Sequence, residues 1–142
     1  MKKIAFTGAA VLAAAIGVYL TTTQTNSQDN ALPNAGTDLV NVTLPDTLSA
    51  QAETGKQAFD AVCAACHGTN GAGKDGFGPP LVHVIYEPNH HGDMSFFMAV
   101  QNGVRAHHWR FGNMPPQEGL TKGDVTNIIA YVREMQQANG IE

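Results

Sequence analysis

The chain has 142 residues, of which 43% are hydrophobic and 14% are charged, and its formal net charge is −4. This length allows one domain with short appendages, and the weakly acidic balance provides no basic surface of the kind that binds nucleic acid. The sequence contains only 2 cysteines, which excludes a four-cysteine zinc site.

Residues 1–20 have the composition of an export signal. Lys2 and Lys3 are followed by seventeen residues, 4–20, that carry no charge, a pattern typical of a secretory signal peptide or an N-terminal membrane anchor. Ala13-Ala14-Ala15 resembles a cleavage site, whereas the apolar run has the minimum length of a spanning helix, so both interpretations stay open. In either case we expect the domain on the periplasmic side of the bacterial inner membrane, anchored by residues 4–20 or soluble after cleavage.

Residues 21–47 are polar and show no helical or strand period. This composition predicts a flexible linker, and we expect the folded domain over residues 48–142. That domain contains six basic and nine acidic residues, a formal charge of 6 − 9 = −3.

The first predicted helix runs from Ser49 to about Ala65. Ser49 is a suitable N-cap. Four residues recur at helical spacing on one face: Gly55, Phe59, Val62 and Cys66. Several glycines, beginning with Gly68, then predict a loop.

This helix carries the most informative motif of the chain, Cys63-Ala64-Ala65-Cys66-His67. The spacing C-x-x-C-H is typical of c-type haem attachment. Two sulfurs on one helical turn can reach both vinyl groups at one porphyrin edge, and His67 can then bind the iron. The alternatives are a redox dithiol, which would need a strand–helix–strand context, and a disulfide closing a very short loop.

Five further histidines lie within a span of twenty-six residues: His83, His90, His91, His107 and His108. Imidazoles suit copper and zinc. Because adjacent residues of an extended segment point to opposite faces, we expect at most one metal ligand from each adjacent pair. The other interpretations are polar histidines on a loop surface, or a histidine that replaces the axial methionine at some pH.

A short middle helix is predicted with Asp93 as its cap and Asn102-Gly103 at its end. Met94 and Met98 lie one turn apart in this helix. We expect both methionines to pack in the apolar core.

The last predicted helix has the clearest signals. Thr121 and Asp124 resemble a capping box, apolar residues follow at helical spacing, and Asn139-Gly140 ends the helix. No segment shows sustained strand alternation. The sequence therefore predicts a small all-α domain of three to four helices.

The ordered set of motifs over residues 49–138 resembles the class I monohaem cytochromes c. The motifs are Cys63-Ala64-Ala65-Cys66-His67-Gly68, Gly78-Pro79-Pro80-Leu81, Asn113-Met114-Pro115-Pro116, and a last helix that bears Tyr131. The resemblance implies an all-α fold around one covalent haem c. It also implies that the first and last helices cross at Gly55, with Phe59 and Tyr131 filling the crossing.

The resemblance implies His/Met ligation of the iron, with His67 as one axial ligand and Met114 as the other. Met114 precedes Pro115-Pro116, which restrict the backbone of the loop; Met98 is the second candidate. The family also implies that the Pro79 carbonyl accepts a hydrogen bond from the His67 imidazole. Three polar side chains are candidate partners of the haem propionates: Trp109, Arg105 and Arg110.

These inferences favour an electron-transfer protein rather than an enzyme, exchanging electrons with redox partners that the sequence does not identify. Two alternatives use the histidines between His83 and His108. One is a five-coordinate haem enzyme or sensor with His107 or His108 as a distal acid–base group, and the other is a copper-handling accessory protein.

Overall fold

The computed structural model describes residues 35–142. The predicted signal or anchor, residues 1–20, and the linker as far as residue 34 lie outside the described residues. Within residues 35–142, no helix is both long and apolar enough to cross a membrane.

The described part of the chain is helical and contains no strand, only two isolated bridges. Helix α1 spans Ala50–Ala58 and continues through a π-helical segment, Phe59–Cys63, into α2, Ala64–His67. Helix α3 spans Asp93–Asn102 and α4 spans Lys122–Ala138, and short 3₁₀ turns occur at Thr69–Gly71 and Val84–Tyr86. The predicted all-α fold is confirmed.

The first helical run ends two residues later than predicted, at His67, before Gly68 with φ +72°. Ser49 caps its start: the hydroxyl oxygen accepts the backbone N–H of Ala52 at 3.1 Å. The Glu134 carboxylate in turn accepts from the Ser49 N–H at 2.9 Å and from its hydroxyl at 2.6 Å. These bonds join the beginning of α1 to the end of α4.

Helices α1 and α4 cross at Gly55. A methyl group at this position would overlap the backbone carbonyl of Asn127, so the helices approach closely only because Gly55 has no side chain. One turn further, the rings of Phe59 and Tyr131 pack edge to face with centroids 5.3 Å apart. The crossing that the family resemblance implied is therefore present.

The buried core lies between these two helices and the segment at residues 81–82. Its apolar members are Ala52, Phe59, Leu81, Val82, Ile128, Tyr131, Val132 and Met135. Gln136 is also fully buried, and its amide donates to the carbonyl oxygens of Leu81, at 2.8 Å, and Tyr86, at 3.1 Å. The last helix thereby holds the irregular chain between α2 and α3.

Helix α3 differs from its prediction in two ways. Gly92 is the N-cap and Asp93 is already the first helical residue. Met94 and Met98, which we expected in the core, are 68% and 50% exposed. For Met94 the reason is helical geometry, because Phe96 packs against the core and lies about 200° around the helix from it. Met98 instead lies on the wall of a cavity.

Helix α4 follows its prediction closely. The Thr121 hydroxyl accepts the Asp124 N–H at 3.2 Å, and the Asp124 carboxylate accepts the Thr121 N–H at 2.8 Å. The predicted capping box is therefore present, and Asn139 with Gly140 at φ +72° ends the helix.

The second half of the predicted linker packs against the domain. Leu39 and Val40 donate backbone hydrogen bonds to the carbonyl of Ala72 at 3.2 and 3.1 Å, and Asn139 exchanges side-chain hydrogen bonds with the backbone of Thr43, each 2.8 Å long. The expectation of a flexible linker over residues 21–47 is thus wrong from about residue 36 onward. Backbone polar groups of this segment find partners in the domain, and Val42 packs against the core.

Candidate haem site

The residues of the C-x-x-C-H motif line a cavity of about 610 Å³. Cys63, Cys66 and His67 contribute from the first helical run, while Trp109 and Met114 contribute from the loop between α3 and α4. Most of the lining is apolar, which is typical of a site for a large organic cofactor.

His67 is held by the chain segment that follows the glycine loop. Its Nδ1 lies 2.9 Å from the carbonyl oxygen of Pro79, so the Nδ1–H donates and Nε2 keeps its lone pair. Burial lowers the pKa of His67, and the hydrogen bond to Pro79 opposes that shift in part. The imidazole is therefore neutral near pH 7 and suited to binding a metal.

The two thiols are free. Cys63 is half-buried, and burial together with the neighbouring Cys66 raises its pKa to about 11. Cys66 is exposed. Addition of each S–H group across a haem vinyl group would convert these thiols to neutral thioethers, so attachment leaves no buried charge at Cys63.

The backbone of Met114 is fixed by contacts on both sides. Its N–H and C=O pair with the C=O and N–H of Val104 at 3.0 and 2.9 Å. Gly103, at φ +72°, permits this pairing, because a Cβ there would lie 2.5 Å from the Met114 carbonyl oxygen. The Gln117 N–H further ties the loop to the Val100 carbonyl of α3 at 2.8 Å.

Met98 lines the same cavity. Its thioether sulfur accepts a hydrogen bond from the Asn102 amide at 3.8 Å, within helix α3. Met114 has no such contact among the hydrogen bonds of its loop, where the side chain is half-buried. Of the two thioethers that line the cavity, Met114 is therefore the one whose sulfur is not engaged by a neighbouring side chain of its own segment.

Trp109 has a buried indole N–H that finds no hydrogen-bond partner among residues 35–142. The ring packs edge to face against His83, with centroids 5.1 Å apart, and stacks on Phe111 at 6.1 Å. Tyr86 is a neighbour of the indole, but the two side chains do not have the geometry of a hydrogen bond, and burial raises the pKa of Tyr86. A buried donor without a partner is costly in a protein interior, and this one lies at the cavity.

Arg105 and Arg110, the other two candidate propionate partners, are exposed and do not line the cavity. Arg105 contributes through its backbone instead, because its carbonyl oxygen lies 2.9 Å from Nδ1 of His107.

Four of the five additional histidines form one cluster at the edge of the cavity, which three of them line: His91, His107 and His108. His90 and His91 have ring centroids 4.5 Å apart, and His107 and His108 are 4.2 Å apart. For His90 and His91, the extended geometry behind the expectation of at most one ligand from each pair does not apply. Both donate backbone hydrogen bonds to the Glu87 carbonyl, so they lie in a turn, where adjacent side chains need not point to opposite faces.

His83 lies outside this cluster, and its Nδ1 accepts the Ile85 N–H at 3.2 Å. In the cluster, the pKa of His108 is lowered by desolvation and by the charges of His107, His91 and His90.

Several lining residues were not identified from the sequence. They are mainly apolar and come from irregular segments and α3: Phe77, Phe96, Val104 and Phe111. Apolar residues in loops have no period, so only the distances in the folded chain assign them to the site.

A family model of cytochrome c matches residues 52–136. The chain belongs to the cytochrome c family. A cytochrome c domain holds haem c, which contains iron, by covalent bonds to the porphyrin, and Cys63 and Cys66 are the cysteines available for attachment. Three observations fit this group: the neutral His67 with a free Nε2, the unpartnered Trp109 N–H, and the apolar cavity. Haem-based electron transfer with redox protein partners is the function that the family supports.

Proposed function

We propose that this cytochrome c domain is a six-coordinate electron carrier, with His67 and Met114 as the axial ligands of the haem iron. The observation that carries the proposal is that both side chains line one cavity, while the backbone of each ligand segment is fixed independently. When bound, the haem supplies a one-electron couple between ferrous and ferric iron, and Met/His ligation raises its reduction potential.

Contacts within the protein orient both proposed ligands without any contribution from the haem. Pro79 orients the His67 ring and increases the basicity of its Nε2 by accepting the Nδ1–H bond. The pairing of Met114 with Val104 holds the thioether on a loop whose ends are tied to α3. Because neither segment has to rearrange, little reorganisation is expected between the two oxidation states.

Trp109 is proposed to donate its buried N–H to a haem propionate. This assignment supplies the partner that the indole lacks in the described part of the chain, and a hydrogen bond to a charged acceptor is among the stronger ones in proteins. Arg105 and Arg110 are exposed, so we propose that they interact with the propionate charges only at longer range.

A six-coordinate iron has no open position for a substrate, so we propose a carrier rather than an enzyme. We also propose that the domain works on the periplasmic side, anchored by residues 4–20 or released by cleavage. Mass spectrometry of the mature N-terminus separates these two cases, because an anchor keeps residues 4–20 and a signal peptide does not.

Carbon monoxide binding to the ferrous holoprotein tests the ligation. We expect no binding to the wild type and fast binding to Met114→Ala, together with loss of the thioether-to-iron charge-transfer band in the ferric variant. Met98→Ala is the matched control and should behave as the wild type. Rapid carbon monoxide binding to the wild type would contradict the proposal and favour a five-coordinate haem, with His107 or His108 near the open position.

A further inference from the structure

The four clustered histidines come from two separate segments of the chain. His90 and His91 lie in the turn before α3, and His107 and His108 lie in the loop that carries Met114. Across the two segments, the ring centroids of His108 lie 5.2 Å from His90 and 5.3 Å from His91, and His91 lies 6.1 Å from His107. Residues distant in sequence therefore bring their imidazoles to one place.

Three of these rings have the spacing of a metal site. One nitrogen each of His90, His91 and His108 can be chosen so that all three lie within 4.8 Å of one another. A tetrahedral site with metal–nitrogen bonds of about 2.0–2.1 Å requires nitrogens about 3.3 Å apart. His90 and His108 are exposed, so small side-chain rotations can close the difference without disturbing the core.

The hydrogen bond of the His91 ring leaves one nitrogen free to bind a metal. The His91 Nδ1–H donates to the Ile85 carbonyl at 2.6 Å, which leaves Nε2 as its ligand atom. Metal-binding histidines commonly make this contact to a backbone carbonyl, because it fixes the ring orientation. His107 makes the same contact to the Arg105 carbonyl at 2.9 Å.

The backbone beneath the cluster is held by Arg133 of α4. Its guanidinium donates to the carbonyl oxygens of His91, at 2.6 Å, and Tyr86, at 2.7 Å, and pairs with Asp93 at 2.9 Å. The position of the turn is thus determined by a partly buried side chain rather than by the exposed imidazoles.

Within residues 35–142, the candidate group of metal ligands consists of histidines alone, and neither ion pair joins a histidine to a carboxylate. A site of imidazole nitrogens alone excludes Ca²⁺ and Mg²⁺, which prefer oxygen ligands, and suits Cu²⁺ and Zn²⁺. The exposed rings contact mainly one another, so packing of the core does not explain them.

We propose that His90, His91 and His108 form a second metal site that binds one divalent transition cation, Cu²⁺ or Zn²⁺, at the edge of the haem cavity, which His91 and His108 line. Three protein ligands leave a coordination position open to water or a small ligand. Cu²⁺ should bind more tightly than Zn²⁺, following the general order of divalent-metal affinities.

The test uses the ferric holoprotein, with Zn²⁺ titrated calorimetrically and Cu²⁺ followed by electron paramagnetic resonance. We expect one equivalent of either metal to bind, nitrogen hyperfine structure on the Cu²⁺ signal, and no change in the haem absorption spectrum. The unchanged spectrum separates this site from the iron and its ligands, so failure here would not affect the assignment of His67 and Met114.

Single variants identify the ligands. His90→Asn and His108→Asn should each weaken Zn²⁺ binding at least about tenfold, the loss typical of an altered metal site. His83→Asn is the control, because asparagine can still accept the Ile85 N–H, and it should change the affinity less than about twofold. His107→Asn should change the Zn²⁺ affinity about as little as His83→Asn does.

Three results would overturn the proposal. They are the absence of saturable binding, binding that persists in the His90→Asn/His108→Asn double variant, and a loss in His107→Asn as large as that in His108→Asn. Both exposed positions lie outside the core, and an unchanged far-ultraviolet circular dichroism spectrum of each variant shows that a loss of affinity is not a loss of fold.

Discussion

Replacing Gly55 with alanine tests whether the close crossing of α1 and α4 determines the stability of the domain. A methyl group there would overlap the Asn127 carbonyl and lie 2.9 Å from the Ile128 nitrogen. These are backbone atoms, so no side-chain rotation relieves the overlap and the helices must separate. Helix propensity favours alanine by about 1 kcal/mol, whereas overpacking costs about 1–3 kcal/mol and more where the backbone moves. We expect a net loss of about 2 kcal/mol.

Gly123→Ala provides the matched control. This position also lies in a helix, but its nearest contact would be the Thr121 hydroxyl oxygen at 3.6 Å, an ordinary distance. The substitution should therefore stabilise the protein by up to about 1 kcal/mol. Urea unfolding of the holoprotein, followed by circular dichroism, measures both changes as shifts of the midpoint at constant slope. If Gly55→Ala unfolded at the same or a higher urea concentration than the wild type, the argument from the crossing would be wrong.

Further predictions concern three polar contacts. Thr121→Ala removes the α4 cap and should cost about 1 kcal/mol in urea unfolding. The hydroxyl and N–H of Thr121 hold the pKa of Asp124 below its usual value. The stability that this contact contributes is therefore complete above the pKa of Asp124 in the unfolded chain, and it is lost as the pH falls through the pKa in the folded protein. The stability difference between wild type and Thr121→Ala should shrink in acid, and a difference that does not depend on pH would refute the role of the Thr121–Asp124 contact. In Arg133→Lys, a single ammonium group cannot donate to the Tyr86 and His91 carbonyls at the same time. The substitution should lower the free energy of unfolding by about 1–3 kcal/mol, and an unchanged urea midpoint would show that these bonds contribute little. Trp109→Phe should destabilise the holoprotein by about 1.5–3 kcal/mol and lower the reduction potential, because the propionate charge then favours ferric iron more strongly; an unchanged potential in a redox titration would remove Trp109 as a propionate donor.

The sequence predicted the elements whose signals are local. The Thr121 capping box, the end of α4 at Asn139-Gly140, and the Ser49 cap each depend on residues a few positions apart. The C-x-x-C-H motif is local in the same sense, since its two cysteines and its histidine lie within five consecutive residues. Resemblance to the family added the Gly55 crossing, which composition alone does not reveal.

Contacts between distant segments account for what was not predicted. The chain from Gly36 to Thr43 belongs to a segment that is polar as a whole, yet it bonds to Ala72, Asp75 and Asn139, and its Val42 packs against the core. Met94 has core-like chemistry but lies on the face of α3 opposite Phe96, and Met98 lines the haem cavity instead of the core.

The histidine cluster shows the same limit. It depends on a turn at residues 88–90 and on a loop tip more than a dozen residues later. Neither segment has a periodic pattern, and their meeting is fixed by Arg133 and by the pairing of Val104 with Met114. Such long-range bonds determine which histidines can share a metal.

The most direct test of the central claim is a nuclear magnetic resonance spectrum of the ferrous holoprotein with its methionine methyl groups labelled with carbon-13. A methyl group on a thioether bound to haem iron lies over the porphyrin ring, whose ring current shifts its resonance far upfield. The His67/Met114 assignment predicts one such resonance, absent in Met114→Ala and retained in Met98→Ala. A spectrum with no upfield methyl, or one that loses this signal only in Met98→Ala, would contradict it.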